Sequence, residues 1–302
     1  MKWFKTRISS KWRLRRKRRA SSAGLRRRFR PNPHTVTVAT LVVLAVSGMW
    51  AVWHFAPERS SGIPQLKDFH TKSRKPEGAR VGPKMVFVID DMGYTQQYDD
   101  LLKSLGNQVT YAVLPLLPFS RHFATLSQSM KTEAILHLPL ESMNGTIPGR
   151  GLIVSDMPDG DVLRVLRKNL DSVPHISGVN NHMGSKGTAD ARLMGIILNE
   201  LKNRDLFFLD SVTTPQTRAE SIARSYGMPA LHRDVFLDNL DSQEAVIQKI
   251  NEMKQIARTK GYAIGIGHYR YNTFAAIKTS LPRLKAEGFQ IVHLRNLIAD
   301  SK

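Results

Sequence analysis

The sequence predicts an α/β domain: a parallel sheet with helices outside it, closed as a barrel or open and doubly wound. Three observations lead there. From Met85 onward, apolar runs of four to six residues recur, as expected of strands buried on both faces. Helical stretches lie between most of them and repeatedly end at a glycine (Gly106, Gly227, Gly261, Gly288), where the left-handed cap conformation meets no Cβ clash. Acids, imidazoles and amides gather at the C-terminal ends of the runs, the end at which parallel α/β folds keep their active sites.

Taken in order, strands are expected at 85–90, 109–114, 134–138, 177–180, 206–209, 230–236, 263–267 and 290–294. "YDDLLKSLG", "ESIARSYG", "IQKINEMKQIARTKG" and "SLPRLKAEG" supply helices that run into the four glycines. Val162, Leu163, Leu166 and Leu170 give a further helix its apolar face, and Leu193, Ile196, Ile197 and Leu201 give another. The stretch 139–158 is long and lacks a period, and in a compact domain such a loop usually carries or covers a site.

Ahead of this domain the chain changes character. Its net charge of +20 is uneven: residues 1–30 hold 14 Lys and Arg and no acid, which leaves only +6 for the rest. The run "TVTVATLVVLAVSGMWAVWHF", 35–55, has no charged residue except His54 if protonated, and about 20 apolar residues span a bilayer core as a helix. Trp50 and Trp53 near its far end suit the membrane interface, and basic flanks stay cytoplasmic. The expected organisation is a basic cytoplasmic tail (1–34), one transmembrane signal-anchor helix (35–55), a Pro/Gly/Ser-rich linker (56–83) and a folded extracytoplasmic domain (84–302). A long apolar core with bulky residues at its exit favours an uncleaved anchor over a signal peptide. Nucleic acid is not an expected partner, because most of the net positive charge precedes the anchor. The absence of cysteine excludes disulfides, thiolate metal sites and a Cys nucleophile.

The strand ends carry the chemistry. "MVFVIDDMG" runs a buried strand into Asp90 and Asp91; "AILHL" carries His137 and continues to Glu141; "SGVN" is followed by Asn181 and His182. "LFFL" ends at Asp210, "HRDVFLDN" holds Asp234 and Asp238, and "AIGIG" ends at His268. Each has a plain reading. Asp90 or Asp91 could cap a helix starting near Thr95, which explains one carboxylate but not two. Asp210 could cap the next helix, and Asp238 the helix after Asp241. Taken together, adjacent acids and histidines from neighbouring strands suit a divalent metal, with zinc the first choice. One acid would bind the ion and the other would take a proton from water. There is no G-x-S-x-G elbow, phosphate loop or dinucleotide fingerprint.

The motifs "FVIDDMG", "LHLPLE", "GVNNHMGS", "FFLDSVTT", "VFLDN" and "GIGH", in this order over about residues 84–298, resemble the divergent polysaccharide deacetylase family of bacteria, which is related to NodB-type carbohydrate esterases. The resemblance implies a distorted (β/α) barrel and metal-dependent hydrolysis of N-acetyl, or O-acetyl, groups on a glycan. In the broader NodB-type enzymes the first acid of an Asp-Asp pair is the general base and the second a metal ligand, which would make Asp90 the base and Asp91 the ligand. Two histidines one helical turn apart normally complete the metal site; "NNHMGSK" offers His182, but Lys186 stands at the second position. His137 is then expected as the third ligand. A late histidine acts as acid toward the leaving amine, and His268 matches it. The Arg-x-Pro-Tyr motif usual in those NodB-type enzymes has no clear counterpart in this chain.

The expected protein is therefore a deacetylase anchored in the bacterial inner membrane, its domain in the periplasm and its substrate an envelope or extracellular glycan. Asp90 and His268 would be catalytic. Asp91, His137 and His182 would hold the metal, and Asn181, Asp210, Asp234 and Glu141 would support the site or touch substrate. The rival expectation is a catalytically silent glycan-binding or envelope scaffold protein on the same fold.

Overall fold

The computed structural model describes residues 82–299. The basic tail, the apolar segment 35–55 and nearly all of the linker lie outside the described residues. Among the described residues no helix is long and apolar enough to cross a membrane.

The sheet is built from β1 (Lys84–Met92), β2 (Thr110–Val113), β3 (Ala134–Leu140), β4 (Gly178–Met183), β5 (Phe207–Asp210), β6 (Ala230–His232), β7 (Val235–Phe236), β8 (Tyr262–His268) and β9 (Gln290–Ile291). Between and after them run α1 (Asp99–Lys103), α2 (Ser120–Ser129), α3 (Asp159–Ser172), α4 (Ala191–Asn203), α5 (Ala219–Ser225), α6 (Gln243–Lys260), α7 (Tyr271–Ala286) and α8 (Leu294–Ala299). The strand order is β6-β5-β4-β3-β2-β1-β8-β7, with β9 beside β1, and the strand pairs are parallel. The architecture is a curled half-barrel of parallel strands. Its edge strands β6 and β7 are consecutive in the chain, separated only by Arg233 and Asp234. The expected single strand 230–236 is thus split: its first half pairs with β5 and its second with β8.

Strand alternation sorts the apolar side chains into two clusters. Met85, Phe87 and Ile89 of β1 join Leu136, Leu138 and Val179 against the helices. Val86 and Val88 turn the other way, with Ala112, Ile135, Phe207, Leu209, Leu231, Ile264 and Ile266, and fill the inside of the curl. Burying such side chains contributes about 1.5–3 kcal/mol each. Leu294 and Leu297 of α8 pack onto this inner cluster at the N-terminal end of the strands. The expected strand 290–294 is accordingly only two residues long, because its apolar residues continue into the helix that plugs the curl.

Two glycines of "GIG" are explained by close approach. A Cβ on Gly267 would stand 2.8 Å from Thr273 Cγ2 and 3.4 Å from Leu237 Cβ, and one on Gly265 would overlap Met253 of α6. Only glycine lets β8 pass this close to its neighbours.

Candidate active site

The inner face changes from apolar to polar along each strand. Val86 and Val88 lead to Asp90, Ile135 leads to His137, and Ile264 and Ile266 lead to His268. On β4 the same alternation puts Asn180 and His182 on the inner face. Register pairs Asp90 with His268 and His137 with Asn180, so these groups stand at neighbouring levels. Asp91 would normally point outward. Instead the β1 register shifts between Ile89 and Met92, and Asp91 takes φ 62°. A bulge of this kind redirects one side chain, and here it brings a second carboxylate to the site.

Three atoms then meet. Asp91 Oδ1 lies 3.1 Å from His182 Nδ1 and 3.3 Å from His137 Nε2, and the two nitrogens are 3.0 Å apart. Ligands of a tetrahedral ion held at about 2.0–2.1 Å stand about 3.3 Å apart, so the spacing fits one divalent cation. Asp91 Oδ1 is buried and accepts no hydrogen bond in the protein. An orphaned buried carboxylate oxygen costs free energy, and a cation bound between it and the two imidazoles would remove that cost. Asp91, His137 and His182 form a candidate Asp-His-His metal site.

A second layer fixes these groups. Asn180 Nδ2 donates to Asp90 Oδ1 at 2.9 Å and to Ser211 Oγ at 3.3 Å, which orients the amide. Its Oδ1 must then accept from His137 Nδ1, 2.9 Å away. In the neutral ring this leaves the Nε2 lone pair facing Asp91. Across the site, His268 Nδ1 is 2.9 Å from Asp238 Oδ1. Asp238 Oδ2 accepts from the His268 amide and from Thr273 Oγ1, each at 2.7 Å. His268 Nε2 is thereby turned toward the acids, 3.8 Å from Asp91 Oδ2.

The electrostatics follow burial and charge. Burial raises the pKa of Asp90, and the neighbouring imidazoles only partly offset it. Burial also acts to raise Asp91, but His137 and His182 outweigh it and hold this carboxyl well below the usual range. His268 is shifted up: burial opposes its cation, and the Asp238 carboxylate more than compensates. Asp238 is shifted down, the His268 interaction overcoming its own burial.

The family model of the divergent polysaccharide deacetylases matches residues 87–298, which span the site and all of the sheet but the first three residues of β1. The chain belongs to that family. An uncharacterized protein of Haemophilus influenzae (strain ATCC 51907 / DSM 11121 / KW20 / Rd) is 32% identical over 219 residues, covering 72% of this chain and 78% of that protein. The uncharacterized protein YibQ of Escherichia coli (strain K12) is 32% identical over 185 residues, 61% of this chain and 58% of its own length. Among solved structures, the uncharacterized protein ATU2773 of Agrobacterium tumefaciens C58 shares the fold, with TM-score 0.70 at 23% identity over 74% of this chain and 92% of that one.

In this member of the family, Asp90, Asp91, His137, His182 and His268 converge. The remaining expected site residues do different work. Both oxygens of Asp210 are engaged by its own loop, the Val212 amide at 2.8 Å and Thr217 Oγ1 at 2.7 Å. Asp234 binds Lys260 Nζ and the Ile264 amide, both at 2.8 Å, and does not reach the cluster. Asn181 faces away from the ion site and pins the loop after β5, accepting from the Ser211 amide at 2.8 Å. Glu141 ties the loop 139–158 down through Ser155 and pairs with Lys186 Nζ at 2.7 Å. Lys186, standing where the broader enzymes place a histidine, is therefore occupied elsewhere. Neither Asp90 nor Asp91 caps a helix, since α1 begins only at Asp99. Asp238 caps none either: Ser242 caps α6.

Sequence reasoning passed over two residues that touch the site. Asn180 was legible by alternation, because it shares its face with His182 while Asn181 cannot. Asp238 differs from Asp234 only through the register of β7 on β8, which the sequence does not state.

Proposed function

We propose that this chain is a metal-dependent deacetylase, most simply zinc-dependent, acting on N-acetyl or O-acetyl groups of an envelope or extracellular glycan. The observation that carries this reading is the buried Asp91 oxygen, unbonded within the protein and facing two imidazole nitrogens at 3.1 and 3.3 Å. Membership of the deacetylase family supports acyl hydrolysis. The bilayer-length segment 35–55 and its basic flank support an inner-membrane anchor with the domain in the periplasm.

Asp91, His137 and His182 would hold the cation. When bound, it supplies Lewis acidity, acidifying water and polarising the acetyl carbonyl. Asp90, held by Asn180 and kept basic by its burial, takes a proton from the attacking water. His268, whose protonated form the Asp238 carboxylate favours, presents Nε2 to the departing nitrogen or oxygen and protonates it as its bond to the acyl carbon breaks. The inner apolar cluster floors the pocket and keeps water from reaching it through the barrel.

The test is acetate release from N-acetylglucosamine oligomers by the full-length protein, with zinc, after chelation, and in Asp91→Ala. The reading expects zinc-dependent release, lost on chelation and lowered at least a thousandfold in the variant. Equal release by the variant would remove the metal-site role, and glycan binding without any release would favour the silent binding protein.

A further inference from the structure

Two arginines beside His268 are not used by the mechanism above. Arg233 follows Leu231 by two residues on the inner face, in the short link between β6 and β7. It is half-buried. Its Nε donates to Ser211 O at 2.8 Å and its Nη2 to Val212 O at 3.1 Å. Its carbon Cζ lies 5.0 Å from the Phe236 ring, whose other neighbour is the His268 ring at 5.2 Å. The guanidinium is therefore within about 10 Å of the imidazole. Arg270 follows His268 by two residues, is also half-buried, and donates through Nη1 to Asp238 O at 3.1 Å. Neither guanidinium is in an ion pair among the described residues: both are held by carbonyl oxygens, and Asp238 and Asp210 spend their carboxylates on other partners.

Half-buried cations are normally paired, because desolvation of an unpaired charge is costly. Of the carboxylates that act on Arg233 through space, Asp234 is paired with Lys260 and Asp210 accepts from its own loop, so neither contacts the guanidinium and an incoming anion would have neither contact to displace. A guanidinium recognises planar carboxylates and phosphates through paired N–H groups, and Arg233 Nη1 has no hydrogen bond among the described residues.

We propose that Arg233 and Arg270 form an anion subsite, so that the glycan taken by this pocket carries a carboxylate or a phosphate on the acetylated sugar or the adjoining one. This rests on the deacetylase reading for the nature of the glycan, but it is tested by binding rather than turnover.

The experiment is calorimetric titration of the zinc-loaded full-length protein with three N-acetylated disaccharides of one scaffold: a lactyl carboxylate, the corresponding neutral amide, and a phosphate monoester. The carboxylate or the phosphate form should bind at least tenfold tighter than the amide, and whichever of the two binds tighter names the source of the charge. Arg233→Gln should bring that ratio below twofold with little change for the amide, and Arg233→Lys should restore part of it. Because Arg233 also clamps the Ser211 and Val212 carbonyls, Arg270→Gln tests the subsite without disturbing that clamp, and should narrow the ratio at least threefold. Equal affinity for charged and neutral forms, no binding of either charged form, or a proportional loss for all three ligands in both glutamine variants would overturn the subsite. A charged glycan bound through the arginines but never deacetylated would leave the subsite standing and remove the hydrolase reading.

Discussion

The inside of this curled sheet holds buried carboxylates at both ends, and they are treated in opposite ways. At the N-terminal end Glu133 is fully satisfied. Its Oε1 accepts from Ser177 Oγ at 2.8 Å and the Arg295 amide at 3.1 Å, and its Oε2 from Thr110 Oγ1 at 3.1 Å and the Leu294 amide at 2.8 Å. It joins three strands' edges to the first turn of α8, the helix whose Leu294 and Leu297 close the inner cluster. At the C-terminal end Asp91 sits on a bulge at φ 62°, with one buried oxygen that nothing in the protein bonds. A saturated carboxylate is a structural clamp. An orphaned one, backed by two imidazoles, holds free energy in reserve for a ligand.

The comparison can be broken most forcefully at Asp91. Asp91→Ala should lower zinc affinity and acetate release by at least a thousandfold, and chelation should lower the melting temperature of the wild type while leaving that of the variant unchanged. Thermal melting with and without chelator, alongside metal titration, checks both halves. Glu133→Ala should do the reverse. It strands two hydroxyls and two amides, and should cost about 3 kcal/mol in denaturant unfolding, with the turnover of the remaining folded protein unchanged.

Asp238→Asn sharpens the picture on the acid side. The carboxylate that lifts the His268 pKa is lost, so the imidazolium persists only to lower pH. Turnover should fall about a hundredfold, and the alkaline limb of its pH profile should move to lower pH. A profile of unchanged shape would show that His268 is not the acid.

Asn180→Ala should weaken metal binding by about 10–100-fold, the usual penalty for losing the partner of a ligating histidine. A cobalt-substituted protein would report it as a changed visible spectrum even where turnover is too slow to follow. Asp234→Asn, at the Lys260 pair, should change turnover less than twofold, and a larger effect would extend the site beyond the cluster described.

Much of this was legible in the chain. The apolar runs marked six of the strands one for one because both faces of a parallel sheet are buried, and those strand ends named Asp90, His137, His182 and His268. What could not be read was local geometry. The bulge that turns Asp91 inward leaves no mark in composition. Asp234 and Asp238 look alike until the edge strand splits at Arg233, after which one meets Lys260 and the other His268. The run at 290–294 reads as a strand because a helix that plugs a barrel is as apolar as the strands it closes.

The most direct measurement is X-ray absorption on the zinc-loaded full-length protein, paired with metal stoichiometry for wild type and for Asp91→Ala. The account predicts one zinc per chain, with a shell containing two imidazoles and oxygen at about 2.0–2.2 Å, and loss of that zinc in the variant. A protein that binds no zinc, or a variant that keeps the same metal and the same shell, would contradict it.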